Sequence, residues 1–313
     1  MRRKIIVTGA NGFTGKYLMR ELEEYGFQVI GTWHQSMPEN ISEFVWKQVD
    51  LLDYDTCEWL VDSTKPDAII HLAAQNSVIV AKQNPRETIH NNVMSTVNIL
   101  EACRTNATKI RCILAGSAAV YDTVECNCAI TENMPVFPRN MYALTKVFQE
   151  RMAGRYQEDY GMDIICTRPF NYTGYLQREN CFIPNLCRQV YRIAEGRQEP
   201  RLNLGNLNVS RDFLDVRDVA YAYRLLLHEN VTSGVYNISS GKSVKLMDIV
   251  NYLCQRTGVE VEIHTDESVL RKDDATYICG DNEKINAATG WKARYSVFDT
   301  VNWMYENMQE EVG

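Results

Sequence analysis

The chain is predicted to be an α/β protein, with a doubly wound parallel sheet and a smaller α/β substrate-binding cap. Three observations predict this. Short apolar runs alternate with longer amphipathic stretches through the first half, a glycine-rich turn links the first run to the first stretch, and the alternation loosens after Pro169. Such alternation favours right-handed crossovers, which place helices on both faces of a parallel sheet.

Taken in order, the strand-like runs are Lys4–Thr8, Gln28–Thr32, Val45–Val49, Ala68–Leu72, Ile110–Ala115 and Asp163–Arg168. Between them, Gly15–Tyr25, Thr88–Thr105 and Met141–Tyr160 have apolar positions three and four apart, the helical spacing. In the second of these, Val93, Val97 and Leu100 form a stripe flanked by Ile89 and Met94. Beyond Pro169 the expected elements are helices over Ile183–Glu195, Val216–His228 and Lys245–Gly258, and a strand over Gly234–Ile238. A final helical region, Glu283–Met308, is broken at Gly290-Trp291, where Trp291 is expected to anchor the last helix. Residues 1–170, with return segments at about 212–240, are expected to form the dinucleotide domain, and 171–313 mostly the interleaved cap.

The 313 residues suffice for a sizeable core, and 45% hydrophobic with 23% charged residues is ordinary for a globular chain. A net charge of −7 disfavours nucleic acid or an anionic membrane as partner. The ten cysteines are scattered without zinc-ligand spacing, and His71, His90 and His264 lack it too, so no metal site is expected. Met1-Arg2-Arg3-Lys4 leads into an apolar run too short for a signal or a membrane span, so a cytoplasmic location with reduced thiols is expected.

Chemistry enters at Gly9-Ala10-Asn11-Gly12-Phe13-Thr14-Gly15. Gly9 permits a tight turn, Gly12 lets backbone approach a pyrophosphate, and Gly15 lets helix and strand pack closely. The helix start then offers free N–H groups to phosphate. Following a strand and opening a helix, the turn predicts a Rossmann-type NAD(P) site. At the end of the second strand, Trp33-His34-Gln35-Ser36 supplies neither the acid that usually binds ribose hydroxyls nor an arginine. The missing acid removes a repulsion against a 2′-phosphate and favours NADP over NAD, with both left open. Asp50, beside Leu51, suits either a bond from the adenine amino group or a helix N-cap.

Tyr142 and Lys146 stand four apart at the start of a long helix, so phenol and ammonium share a face. A nearby cation favours the ionised phenol and tunes it as acid or base. Ser117 follows the strand Cys112–Ala115, placing a hydroxyl at a strand's carboxyl end, where ligands of such sheets bind. Together, Ser117 would hold a carbonyl oxygen and Tyr142 would transfer its proton.

With these pieces the chain resembles the extended short-chain dehydrogenase/reductases that act on nucleotide-sugars, the NAD-dependent epimerase/dehydratase family. The resemblance rests on Thr8 through Gly15, His71-Leu72-Ala73-Ala74, Asn92-Val93 with Thr96 through Ala102, Ser117 through Tyr121, Tyr142 to Lys146, and Arg168-Pro169-Phe170-Asn171. It covers nearly the whole chain and adds Leu72, Ala73, Ala74, Asn92 and Pro169 to the expected cofactor contacts. Further on, Gly196-Arg197-Gln198-Glu199-Pro200, Leu204-Gly205-Asn206-Leu207 and Ser210 through Val219 resemble the GDP-4-keto-6-deoxy-mannose reductases and, more distantly, the GDP-mannose dehydratases. In this resemblance Asn171, Arg211, Arg271 and Asp274 bind the substrate, the arginines by matching guanidinium to phosphate. It also implies a homodimer paired through Thr88–Thr105 and Met141–Tyr160.

Two departures stand out. Sugar dehydration needs an acid just after the strand-end hydroxyl, but Ser117 is followed by Ala118 and Ala119, which cannot move a proton. Asp122 replaces the family's usual glycine, and nothing in the sequence explains it. The expected activity is therefore C4 reduction of GDP-4-keto-6-deoxy-D-mannose to GDP-D-rhamnose, with a nucleotide-sugar 4-epimerase as the alternative. A non-catalytic redox-sensing NAD(P) binder is the reading from another class.

Overall fold

A computed structural model describes residues 2–36, 44–106, 109–121, 128–267 and 275–310, and among these described residues are twelve strands and eleven α-helices. The first half runs β1 (Lys4–Thr8), α1 (Phe13–Glu24), β2 (Gln28–Trp33), β3 (Val45–Gln48), α2 (Tyr54–Thr64), β4 (Ala68–His71), α3 (Val78–Gln83), α4 (Pro85–Ile89), α5 (Ser95–Thr105), β5 (Arg111–Ala115), α6 (Met141–Tyr160) and β6 (Ile164–Pro169). The second half adds β7 (Asn171–Thr173), α7 (Phe182–Ala194), β8 (Arg201–Leu204), β9 (Ser210–Asp215), α8 (Val216–Leu225), β10 (Gly234–Ile238), β11 (Ser243–Lys245), α9 (Leu246–Thr257), β12 (Glu262–Thr265), α10 (Glu283–Thr289) and α11 (Val297–Glu310).

Seven strands form one parallel sheet in the order β10-β6-β5-β4-β1-β2-β3. The chain winds outward from β1 in one direction and from β4 in the other, so the crevice between them is the switch point where such sheets bind ligands. Alternation along β1 splits its side chains between two cores. Ile5 and Val7 join Leu18, Met19 and Leu22 of α1 and Val219 and Tyr223 of α8, while Ile6 joins Leu60 and Val61 of α2 and Ile99 and Leu100 of α5. Both faces are thus covered, which is why these strands read as continuous apolar runs. Each fully buried aliphatic side chain contributes about 1.5–3 kcal/mol of transfer free energy.

The strand β10, from the second half, closes the edge of this sheet beside β6. A separate core forms where α7, α9 and α11 meet around Leu186, Val190, Ile249, Leu253, Val301 and Met304. Between the two lies a small sheet, β11-β9-β7, in which Asn171 pairs with Phe213 and Tyr172 with Leu214. Trp291 is fully buried, and its indole donates to the Asp218 carbonyl at 3.1 Å, pinning the break before α11 to α8.

The helix expected over Thr88–Thr105 starts earlier, at Pro85, and passes through a π-helical turn at His90–Met94. A π-turn inserts an extra residue and rotates the face that points inward. The expected stripe is corrected accordingly. Of that stripe Leu100 is buried, but Val93 and Val97 are only half-buried and Met94 is exposed, while Asn92, Ser95, Thr96 and Ile99 are buried.

Candidate active site

The dinucleotide turn leaves β1 at Thr8 and enters α1 at Phe13, earlier than the expected Gly15, with Gly12 in the N-cap position. Gly9 adopts φ +67°, and a Cβ there would stand 2.8 Å from the Ala73 nitrogen. A Cβ on Gly15 would stand 2.5 Å from the Gly9 and Ala10 carbonyl oxygens. No side chain caps α1 and its first turn holds no acid, so the N–H groups and positive dipole end stay open to an anion. The turn therefore fits a dinucleotide pyrophosphate on its own geometry. Asn11 Nδ2 donates to the Ser36 carbonyl at 3.3 Å, tying the turn to the segment after β2.

That segment carries Trp33, half-buried, and His34, exposed. His34 Nε2 lies 3.5 Å from Asp50 Oδ2, and Asp50 Oδ1 accepts from the Leu52 nitrogen at 2.9 Å. The N-cap alternative for Asp50 is corrected: α2 is capped by Asp53, whose carboxylate accepts from the Asp55 nitrogen. The Leu51 carbonyl accepts from Asn98 Nδ2 at 2.9 Å.

Leu72, Ala73 and Ala74 form the loop after β4, half-buried beside the turn. Two contacts that sequence reasoning missed hold this loop. Thr8 Oγ1 lies 2.8 Å from His71 Nδ1 and accepts from the Ala73 nitrogen at 3.4 Å. Asn92 is fully buried, its Oδ1 accepting from the Gln75 nitrogen at 2.7 Å while Nδ2 donates to the Gln75 carbonyl and to Thr145 Oγ1, both at 3.0 Å. Its amide is thus used within the protein, joining the loop to α6. Burial, with Lys146 nearby, pushes the His71 imidazole down to about 3 and keeps it neutral.

Ser117, Tyr142 and Lys146 meet at the carboxyl end of β5. Ser117 stands just beyond the strand, and its Oγ accepts from the Ala119 nitrogen at 3.1 Å, starting a short 3₁₀ turn over Ala118–Val120. Tyr142 and Lys146 lie on the first turns of α6, which Asn140 caps by accepting from the Ala143 nitrogen. Ser117 faces the Tyr142 phenol closely enough to favour its ionised form, and Lys146 Nζ lies 5.8 Å from the phenol ring centroid. Burial pushes Tyr142 up to about 12 against the pull of Ser117. Burial also pushes Lys146 down to about 8, with Cys166 and Glu150 pulling the other way. Lys146 Nζ donates to the Ala115 carbonyl at 2.7 Å, which fixes the ammonium beneath the phenol.

A buried fork secures this helix. Arg168 Nε and Nη2 donate to the two Glu150 oxygens at 2.9 and 2.6 Å, joining β6 to α6 one turn beyond Lys146. Arg168 Nη1 also donates to the Tyr121 hydroxyl at 2.8 Å, which donates to Asn237 Oδ1 at 2.7 Å. Pro169 ends β6, and Asn171 opens β7 as an exposed side chain. Arg211, on the neighbouring β9, is buried, with Nη1 donating to the Ser210 and Ala275 carbonyls at 2.8 and 2.7 Å. Arg271, Asp274 and Asp122 lie outside the described residues.

Residues 6–304 match the GDP-mannose 4,6-dehydratase family. The chain is 31% identical to a GDP-6-deoxy-D-mannose reductase of Pseudomonas aeruginosa, over 100% of this chain and 99% of the relative. It is 29% identical to a GDP-6-deoxy-D-talose 4-dehydrogenase of Aggregatibacter actinomycetemcomitans, over 97% of each. The solved structure of the RMD protein of Pseudomonas aeruginosa complexed with NADPH superposes with TM-score 0.88 at 31% identity, covering 99% of both chains. Among the described residues no helix is long and apolar enough to cross a membrane. With its open dinucleotide turn, its assembled trio and these full-length matches, the chain belongs to the GDP-mannose 4,6-dehydratase family of nicotinamide-dependent nucleotide-sugar enzymes.

Proposed function

We propose that the protein reduces the C4 keto group of GDP-4-keto-6-deoxy-D-mannose to give GDP-D-rhamnose, with NADPH as preferred reductant. The observation that carries this reading is the Ser117–Tyr142–Lys146 arrangement followed by alanine at 118 and 119. It is equipped to protonate an oxygen, and the residues directly after Ser117 offer no acid for removing water from the sugar. The full-length similarity to a GDP-6-deoxy-D-mannose reductase supports the substrate.

The nicotinamide supplies the hydride when bound, and its dinucleotide would lie on Gly9, Asn11, Gly12, Phe13, Thr14 and Gly15. Ser117 Oγ donates to the C4 oxygen and orients the carbonyl. Tyr142 Oη gives that oxygen its proton as charge develops, since an alkoxide is a far stronger base than a phenolate. Lys146, charged below its lowered pKa, stabilises the phenolate left behind. Asn171 and Arg211 are assigned to the substrate with Arg271 and Asp274. Trp33, His34, Asp50 and Leu51 would meet the adenosine end, where the absence of an acid after β2 and an NADPH-bound relative support NADP over NAD.

We also assign the chain to a homodimer. Ile79 on α3, Ile89 on α4, Met94 on the π-turn, and Leu144 and Phe148 on α6 are exposed apolar residues on helices that touch one another. A cytoplasmic site of action is in keeping with the buried Cys57, Cys103, Cys112, Cys166 and Cys187, which form no disulfide.

The proposal is tested by Tyr142→Phe, which keeps the ring and removes the acid. The variant is expected to fold and bind cofactor while turnover falls by about 10²–10⁴-fold. Near-normal turnover of a 4-keto sugar by this variant would overturn the assignment.

A further inference from the structure

Tyr172 has no role in the chemistry above, yet it touches the dinucleotide turn from the cap side. Its ring stacks on Phe13 with centroids 6.1 Å apart and planes 6° from parallel. Its hydroxyl lies 2.9 Å from Thr14 Oγ1. A turn further along α1, Tyr17 donates to the Tyr175 carbonyl at 2.7 Å, and both tyrosine rings edge onto Trp303 of α11. The segment around β7 is therefore laid along the cofactor helix by side chains 158 residues apart in sequence.

This segment also carries the substrate side. Asn171 directly precedes Tyr172, and β7 pairs in register with β9, the strand of Arg211. Gln177 Nε2 donates to the Tyr172 carbonyl at 3.1 Å, and Thr173 Oγ1 donates to Gln177 Oε1 at 2.6 Å, so a shift of Tyr172 is carried into its neighbours. We infer that Tyr172 is a positioning residue that links cofactor occupancy to binding of the nucleotide-sugar. The inference rests on the proposed function only in taking the turn as the cofactor site and Asn171 as a substrate contact.

The chemistry follows from two hydroxyls. Thr14 Oγ has one proton and two lone pairs. Turned to donate its proton toward an anion at the start of α1, it keeps a lone pair for the Tyr172 proton, and the polarised pair bonds more strongly. The ring is then held in one orientation against Phe13, and the backbone of Asn171 with it. By linkage, the factor by which cofactor tightens nucleotide binding equals the factor by which nucleotide tightens cofactor binding.

Tyr172→Phe tests this, because it keeps the stack on Phe13 and removes only the phenol oxygen. GDP and, separately, UDP are titrated calorimetrically into the purified protein without NADPH and with saturating NADPH. The wild type is expected to bind nucleotide at least about fivefold more tightly with NADPH. In Tyr172→Phe the ratio should fall to within about twofold of unity, while NADPH affinity without nucleotide changes less than about threefold. Thr14→Val should remove the same coupling, and the double variant should lose no more, the signature of one shared interaction. A ratio equal in wild type and Tyr172→Phe, or a wild-type ratio of one, would overturn the inference. If UDP alone binds, the assignment of the guanine nucleotide fails, and the ratio measured with UDP still decides the role of Tyr172.

Discussion

Lys146 decides how the site responds to pH. Its burial lowers the ammonium to about 8, whereas Tyr142 is raised to about 12 and stays protonated through the neutral range. A base with a lowered pKa carries its charge below that value and loses it above, so kcat/KM should fall as pH rises through about 8. Lys146→Arg keeps its charge to far higher pH and should abolish this alkaline limb while lowering kcat. Steady-state rates from pH 6 to about 10 check this, and an unchanged limb in the variant would assign it to another group. Ser117, Tyr142 and Lys146 were legible in the sequence because their relations are local: a strand end and one helical turn. Their supports were not. The Thr8–His71 contact spans 63 residues, Asn92 meets Thr145 across 53, and Tyr172 meets Thr14 across 158. Such contacts exist only once the sheet has formed, and no residue type at these positions announces its partner.

Among the elements, the turn from β1 into α1 is the most demanding. Gly15→Ala would put a methyl 2.5 Å from two carbonyl oxygens and force strand and helix apart. It should cost about 1–3 kcal/mol of stability, as overpacking does, and abolish the thermal stabilisation given by NADPH. Gly12→Ala, whose added atom meets only the Gly9 carbonyl at 3.1 Å and whose φ is −77°, should fold normally and weaken cofactor binding. Melting curves with and without NADPH separate the two, and equal behaviour would contradict this reading of the turn. The strands of the large sheet and the span of α6 were readable because buried parallel strands are apolar throughout and a long helix repeats its spacing. The second half was less readable. The strands β7 and β11 have three residues each, and Asn171-Tyr172-Thr173 holds no aliphatic side chain. The π-turn was invisible for a related reason. The extra residue turns Asn92, Ser95 and Thr96 inward, whereas a hydrophobic count puts Val93 and Val97 there.

At the scale of the whole molecule, Ile79, Ile89, Leu144 and Phe148 on α3, α4 and α6 are large apolar side chains left exposed among the described residues. A dimer should cover them, and Phe148→Glu should shift it toward monomer by placing a charge in an apolar contact. Light scattering after size exclusion reads this directly. A monomeric wild type, or an undisturbed dimer in the variant, would remove these helices from the interface. The same helix bears Tyr142 and Lys146 on its inner side, so a dimer built on its outer face would share one element with the site. The central claim concerns what the assembled site does with its cofactor. Purified protein, a stoichiometric amount of NADPH and GDP-4-keto-6-deoxy-D-mannose should consume one NADPH per keto sugar, with GDP-D-rhamnose as product. Interconversion of nucleotide-sugar epimers with no net loss of NADPH absorbance would contradict the account and make the protein an epimerase.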